Sequence, residues 1–178
     1  MKIVVVGTGF VGLPHAAVLA EQGHEVWACD IDPQRIAAYR SGDAARIERY
    51  VNEPGLAASV AENLGRHLFF SSQLEEAAAG AEVCFMCINT PPNRDGSTDL
   101  SYYRAAAEQL AGILAARPDG RRVVVVNKST VPIGTARLLQ GILAAAGAKN
   151  VGVASNPEFL AQGNAIDGSR RPDRGGVG

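Results

Sequence analysis

A short apolar strand that leads into three spaced glycines is the feature that most restricts the fold. Residues 2–6, KIVVV, form a continuous β-branched run, which is typical of a strand covered on both faces of a parallel sheet. Gly7, Gly9 and Gly12 follow in the G-x-G-x-x-G spacing, and a helical pattern runs from Phe10 to Gln22. This order of strand, glycine turn and helix predicts a dinucleotide-binding turn, because a helix N-terminus attracts phosphate. An ordinary tight turn is the alternative.

The three glycines have different expected tasks. Gly7 permits the tight turn, Gly9 lets the backbone approach a pyrophosphate, and Gly12 lets the helix pack closely on the strand.

An acidic residue ends the second predicted strand, residues 24–30. Asp30 follows Gly12 at close to the spacing of about 20 residues expected for the acid that binds an adenosine ribose. A carboxylate there can accept both ribose hydroxyls and repels a 2′-phosphate, which favours NAD over NADP. Asp32 is the competing acid, and we interpret it as the cap of the helix that begins at Pro33. Arg35 is expected to flank the adenosine, although a nearby arginine can also accept a 2′-phosphate.

Apolar runs alternate with helical patterns along the whole chain. The predicted strands are residues 2–7, 24–30, 67–72, 82–88, 121–127 and 150–155, and the predicted helices are residues 10–22, 33–40, 56–63, 101–116 and 134–146. This alternation predicts an α/β protein with a Rossmann-type, doubly wound parallel sheet and helices on both faces. Residues 41–55 and 89–99 are predicted loops, either lids over a site or plain surface loops.

Length, charge and cysteine content narrow the function classes. The 178 residues suit one domain, and a net charge of −1 gives no general attraction to nucleic acid or anionic membrane. No window approaches the roughly 18 apolar residues of a membrane span. Cys84 and Cys87 lie on a predicted strand, where residues three apart face opposite sides, so neither a disulfide nor a metal site is expected. A cytoplasmic globular protein is the expectation.

Three further strand ends are polar and contain proline. They read INTPP at 88–92, NKSTVPIG at 127–134 and SNPEFLAQG at 155–163. Ligands of open α/β sheets bind outside the carboxyl ends of the strands, so residues 127–130 are expected to line a crevice. Caps for the following helix are the alternative for Ser129 and Thr130. Glu158 is the carboxylate of the third segment, and a crevice carboxylate can act as a general acid or base.

These segments together resemble the N-terminal domain of the UDP-glucose/GDP-mannose dehydrogenase family. The resemblance rests on GTGFVGLP, CDID, NEPGL, NTPPNRDGSTDLSYY, NKSTVPIGT, SNPEFLAQGNA and RPDR, and it covers nearly the whole chain. It implies two successive NAD-dependent oxidations of a sugar C6 alcohol to a carboxylate through a cysteine thioester, with UDP-glucose as the favoured substrate. The candidate cofactor contacts are Gly7, Gly9, Phe10, Val11, Gly12, Asp30, Arg35, Asn89, Thr90, Pro91, Ser129, Thr130 and Gln162.

The resemblance also implies substrate and catalytic positions. Glu158, Phe159, Leu160, Ala161 and Gln162 are expected along the sugar nucleotide, and Thr130 and Glu158 are expected to position or activate water near C6. Gln162 stands where many members have a glutamate, and Gly175 and Gly176 replace apolar residues of an expected strand.

The family's nucleophilic cysteine belongs to a second domain beyond a central helix, through which members commonly form homodimers. Residues 1–178 alone are therefore expected to be inactive. The alternatives are a non-catalytic dinucleotide-binding module, a dehydrogenase of GDP-mannose or of a UDP-N-acetyl amino sugar, or a relative of the hydroxyacid dehydrogenases.

Overall fold

The computed structural model describes residues 1–157 and 163–171 of the chain. Its centre is a six-stranded sheet in the order β3-β2-β1-β4-β5-β6, and every strand pair in it is parallel. The strands are β1 (Lys2–Val6), β2 (Glu25–Cys29), β3 (Leu68–Ser71), β4 (Val83–Met86), β5 (Val123–Asn127) and β6 (Val151–Ser155). The predicted doubly wound parallel fold is confirmed, and each predicted strand forms with slightly shorter bounds.

Helices cover both faces of this sheet. They are α1 (Gly12–Glu21), α2 (Pro33–Arg40), α3 (Ala44–Glu48), α4 (Leu56–Asn63), α5 (Leu74–Ala78), α6 (Ser101–Ala115), α7 (Thr135–Ala145) and α8 (Ala165–Arg170). Side chains alternate along β1, so Ile3 and Val5 enter a core layer with Leu13 of α1, whereas Val4 enters the opposite layer with Leu110 of α6. All five of these side chains are buried. Two apolar layers thus pack the sheet between two sets of helices.

Three short helices were not predicted, and one of them corrects the predicted loop at 41–55. Within that range α3 forms because Asp43 caps it, its Oδ1 accepting a hydrogen bond from the Arg46 backbone N–H at 2.9 Å, and because Ile47 is buried. A helix of five or six residues shows too little of the 3.6-residue period to be recognised in a sequence. The same reason applies to α5 and α8.

The strand order reverses between β1 and β4. The chain first builds β1, β2 and β3 toward one edge and then crosses to β4 on the other side of β1. The carboxyl ends of β1 and β4 therefore diverge into different loops, and that is where doubly wound sheets bind ligands. Backbone bonds join the loops there: Gly7 N–H donates to the Cys29 carbonyl and Cys87 N–H donates to the Val6 carbonyl, both at 2.8 Å.

The three cysteines are buried. Cys84 packs in the layer that contains α6, whereas Cys87, just past the end of β4, packs in the layer that contains α1, as predicted for opposite faces. Burial raises the pKa of Cys29 and of Cys84 to about 12, with the neighbouring Asp30 carboxylate adding to the effect at Cys29. These thiols are therefore poor nucleophiles. None of the helices within the described ranges is long and apolar enough to cross a membrane.

Candidate functional site

A cleft of about 770 Å³ opens at the switch point between β1 and β4. Its wall includes the turn after β1, the end of β2, the loops after β4 and β5, and the first half of α6. The predicted cofactor contacts that line it are Gly7, Gly9, Phe10, Val11, Asp30, Arg35, Asn89, Thr90, Pro91, Ser129 and Thr130. Gly12 lies beneath the turn, and the remaining predicted contact, Gln162, is outside the described residues together with Glu158, Phe159, Leu160 and Ala161.

The glycine turn has two positions closed to any side chain and one that is open. Gly7 has a φ of +94°, and a Cβ there would lie 2.4 Å from the Cys87 carbonyl oxygen. A Cβ on Gly12 would lie 1.9 Å from the Gly7 carbonyl oxygen. No atom would lie within 4 Å of a Cβ on Gly9, which borders the cleft. Gly7 and Gly12 therefore make the turn possible, and Gly9 leaves space for a ligand against the backbone.

Asp30 is held as an anion at the end of β2. Its Oδ2 accepts from the Thr8 backbone N–H at 2.8 Å, from the Thr8 hydroxyl at 2.9 Å and from Arg35 Nη1 at 2.9 Å. Its Oδ1 accepts from the Asp32 N–H at 3.1 Å. Burial raises the pKa of Asp30, but the N–H groups of Thr8 and Asp32 and the Arg35 guanidinium outweigh it, so its pKa lies below the ordinary value.

This arrangement limits what the Asp30 carboxylate can still bind. A carboxylate offers about four lone-pair sites, and Oδ2 already has three donors. Oδ1 has one donor from the protein, the Asp32 N–H, and Asp30 lines the cleft. The carboxylate therefore has more unused acceptor capacity at Oδ1 than at Oδ2.

Asp32 has the capping role predicted for it. Its Oδ1 accepts from the backbone N–H groups of Gln34 at 2.9 Å and Arg35 at 3.3 Å, at the start of α2. The Asp32 carboxylate therefore caps α2, whereas the Asp30 carboxylate borders the cleft.

The ends of β4 and β5 are tied together across the cleft. The Ser129 hydroxyl donates to the Ile88 carbonyl at 2.7 Å, and the Thr90 hydroxyl donates to the Thr130 carbonyl at 3.0 Å. Lys128 Nζ donates to Asn156 Oδ1 at 2.9 Å, which adds the end of β6. The structure thus brings together the three polar strand ends singled out in the sequence.

Asn127 corrects the expectation that residues 127–130 all line the crevice. It is the last residue of β5 and is 1% exposed, and its Oδ1 accepts a hydrogen bond from the buried Tyr103 hydroxyl of α6. Strand alternation turns its side chain into the core layer beneath α6 rather than toward the cleft. Its Nδ2 is buried without a hydrogen-bond partner.

Several cleft residues were missed in the sequence. Ile31 is 95% exposed beside Asp30, Tyr50 follows the end of α3, and Tyr102 lies in the first turn of α6. The position of Ile31 directly after the acid could have indicated it. No sequence signal pointed to Tyr50, because its place depends on how the chain between α2 and α4 folds back over Arg35.

His15 lies on α1 and packs against Phe85 of β4. Its ring meets the Phe85 ring edge-on at a centroid distance of 4.5 Å, and its Nε2 is buried without a hydrogen-bond partner. Burial, followed by the positive charge of Lys128, lowers its pKa to about 3. His15 is thus neutral in the folded protein near pH 7.

A buried carboxylate, Glu53, binds the backbone at the start of α8. Glu53 is 3% exposed, and it accepts hydrogen bonds from the backbone N–H groups of Gly163, at Oε1 and 2.9 Å, and Ala165, at Oε2 and 3.1 Å. Those N–H groups lie at the start of α8 and would otherwise be unpaired. Glu53 falls in the predicted loop at 41–55, and its contact with α8 was not predicted.

Comparison with known proteins identifies the family. Residues 1–178 match the model of the UDP-glucose/GDP-mannose dehydrogenase family, NAD binding domain. The chain belongs to this family. A UDP-glucose 6-dehydrogenase from Pseudomonas aeruginosa is 43% identical over 180 residues, which is 98% of this chain and 38% of that protein. The chain thus spans less than half the length of the relatives it matches.

Solved structures of the dehydrogenase family share the fold. A UDP-glucose dehydrogenase from Pyrobaculum islandicum superposes with a TM-score of 0.90 at 38% identity, over 99% of this chain and 40% of that one. A GDP-mannose dehydrogenase from Pseudomonas aeruginosa, solved as a ternary complex, gives a TM-score of 0.90 at 29% identity, over 100% of this chain and 41% of that one.

The cofactor of this domain family is NAD, and the described residues fit it. The cleft volume lies within the roughly 300–1,000 Å³ of small-molecule sites. Gly9 leaves room beside the helix N-terminus for a pyrophosphate, and the ionised Asp30 lines the cleft at the end of β2, where the acid that binds an adenosine ribose is expected.

Proposed function

We propose that residues 1–178 are one NAD-binding domain of a nucleotide-sugar dehydrogenase that oxidises UDP-glucose at C6 to UDP-glucuronate in two NAD-dependent steps. The observation that carries this proposal is the cleft itself, which joins the glycine turn, the ionised Asp30 and the linked ends of β4 and β5. The choice of UDP-glucose follows the names of the relatives with 43% and 38% identity.

When bound, NAD supplies the acceptor for a hydride. The chain's own task is to bind and orient it: Gly9, Phe10, Val11 and the N-terminus of α1 hold the pyrophosphate, and Asp30 holds the adenosine ribose. Arg35 neutralises Asp30 on the adenosine side. The nicotinamide half is assigned to the loops after β4 and β5 and to residue 162, in the set Asn89, Thr90, Pro91, Ser129, Thr130 and Gln162.

Water handling and sugar binding are assigned to the β5 and β6 ends. Thr130 is proposed to orient water at the reacting carbon, with Glu158 as the acid or base, and Glu158, Phe159, Leu160, Ala161 and Gln162 are proposed to lie along the sugar nucleotide. The bond from the Thr90 hydroxyl to the Thr130 carbonyl supports this, because it fixes the Thr130 backbone beside the cleft. The Glu53 anchor on Gly163 supports it by fixing the chain immediately after residue 162.

The thioester step is proposed to use a cysteine outside residues 1–178. Cys29 and Cys84 are buried, and burial raises the pKa of each thiol to about 12, so neither supplies a thiolate at neutral pH. Cys87 is buried in the core layer under α1. The expected consequence is that this chain binds NAD without oxidising a sugar nucleotide.

A dehydrogenase of GDP-mannose is the second candidate. The specific observation in its favour is the equal TM-score of 0.90 to the GDP-mannose dehydrogenase, although the identity is 29% rather than 38%. We further propose a homodimer for the full-length protein and a cytoplasmic location, the latter supported by the free thiols of Cys29 and Cys84.

The substrate assignment is tested by following NADH formation with the protein encoded by the complete gene, in parallel with residues 1–178. We expect oxidation of UDP-glucose by the complete protein, much slower oxidation of GDP-mannose, and none by residues 1–178 alone. Faster oxidation of GDP-mannose than of UDP-glucose would make GDP-mannose the assigned substrate. Turnover by residues 1–178 alone would overturn the assignment of the nucleophile to a cysteine outside them.

A further inference from the structure

Tyr50 belongs to a closed group of side chains at the end of β2. Its ring meets the Tyr39 ring edge-on at a centroid distance of 5.9 Å, and the Arg35 guanidinium carbon lies 5.5 Å from its centroid. Tyr39 in turn donates its hydroxyl to the Thr8 carbonyl at 2.9 Å, and Thr8 donates to Asp30. The group closes at Asp30, which accepts from Arg35.

Within this group two contacts decide where the Arg35 guanidinium points. Its Nη1 donates to Asp30 at 2.9 Å, and the face of Tyr50 lies against it within cation–π distance. Its Nε is buried without a hydrogen-bond partner, so that nitrogen does not hold the side chain in place. Asp30 and Tyr50 therefore fix the guanidinium between them, and the Arg35 side chain remains 31% exposed beside the cleft.

The direction of Arg35 matters for the choice of cofactor. An arginine beside the adenosine ribose can bind the 2′-phosphate of NADP, because its planar fork matches phosphate oxygens. An arginine held on the carboxylate is instead not available to a 2′-phosphate, and the Asp30 carboxylate beside the ribose leaves no room for one. The same two residues can thus favour either cofactor, according to what restrains the guanidinium.

We propose that Tyr50 is a specificity-determining residue that acts through Arg35. Its ring holds the guanidinium on Asp30 and so keeps Arg35 from turning to a 2′-phosphate. This inference rests on the proposed NAD site. It adds a residue from the segment between α3 and α4, and it makes that segment part of the discrimination between NAD and NADP.

The test measures binding of NAD and NADP to residues 1–178 by calorimetry, for the wild type, Tyr50→Leu and Tyr50→Phe. Tyr50 is 38% exposed, so both variants are expected to fold, and thermal unfolding checks this. We expect Tyr50→Leu to reduce the preference for NAD over NADP by roughly tenfold, and Tyr50→Phe, which keeps the ring, to retain it. Tyr102→Leu removes another aromatic wall of the cleft and should change both affinities by the same factor.

The route through Arg35 is tested by repeating Tyr50→Leu in an Arg35→Ala background, where it should leave the preference unchanged. An unchanged preference in Tyr50→Leu with intact Arg35 would overturn the inference, as would an equal change in both backgrounds. A wild-type chain that binds neither cofactor would refute the proposed function, and the inference would fall with it.

Discussion

Glu53 and Gly163 are 110 positions apart in the chain, yet the Glu53 carboxylate accepts the Gly163 backbone N–H at 2.9 Å. The second oxygen accepts the Ala165 N–H at 3.1 Å, so one buried side chain closes the start of α8. The loop that precedes α4 is thereby joined to the chain that follows residue 162.

Glu53→Gln is expected to lower the free energy of unfolding by about 1–3 kcal/mol, because the amide can accept one of the two N–H groups but presents a donor to the other. Urea unfolding measures the effect. Glu48→Gln is the matched control, since Glu48 is exposed on α3 and its replacement should stay within about 0.5 kcal/mol of the wild type. A Glu53→Gln variant as stable as the control would show that the contact contributes nothing.

The lowered pKa of His15 predicts that the free energy of unfolding depends on pH. Its folded pKa of about 3 lies below the ordinary value of 6.5, so below pH 6.5 the unfolded chain takes up a proton that the folded chain does not. The His15 contribution is therefore complete above pH 6.5 and is lost as the pH falls from there toward the folded pKa, at about 1.4 kcal/mol per pH unit.

The comparison that isolates this effect is the wild type against His15→Leu, each unfolded by urea between pH 7 and pH 4.5. As the pH falls, the free energy of unfolding of the wild type should decrease relative to that of His15→Leu, because the variant has no histidine at this position to titrate. Parallel stability curves over that range would mean that His15 is freely protonated in the folded protein.

Asp30 and Asp32 stand two residues apart and are predicted to respond differently to the same substitution. Asp30→Asn removes the charge beside the cleft and should weaken NAD binding by roughly 10- to 100-fold, which corresponds to the loss of one hydrogen bond to a charged group. Asp32→Asn keeps an oxygen that caps α2 about as well, so NAD affinity should be unchanged. Titration of both variants decides between the two acids, and a larger loss in Asp32→Asn would reverse the assignment.

The sequence contained enough information for the sheet and for one half of the site. β1, the glycine turn and α1 follow one another directly, so their arrangement depends on local contacts, and Gly12 is constrained by the Gly7 carbonyl of that same turn. Asp30 was found for a similar reason, since it ends the strand adjacent to β1.

Other parts of the site depend on contacts between distant segments and were not predictable. Tyr50 and Glu53 lie in a segment whose only regular element is the five-residue α3, and their partners Arg35 and Gly163 are on other elements. Asn127 was assigned to the crevice because it is polar and ends a strand. A polar residue there can face either layer, and in this protein the Tyr103 hydroxyl provides a buried partner.

The central claim is that the glycine turn binds the pyrophosphate of NAD, and calorimetric titration of Gly9→Val with NAD tests it most directly. A Cβ at Gly9 would meet no protein atom within 4 Å apart from its chain neighbours, so the variant is expected to fold, and its side chain would occupy the space that the pyrophosphate needs. Gly141→Ala, in α7 and equally free of close atoms, is the matched control. The account predicts NAD binding by the wild type and Gly141→Ala, with an affinity at least about tenfold weaker in Gly9→Val. Equal affinity in Gly9→Val and the wild type, or no binding by the folded wild type, would contradict it.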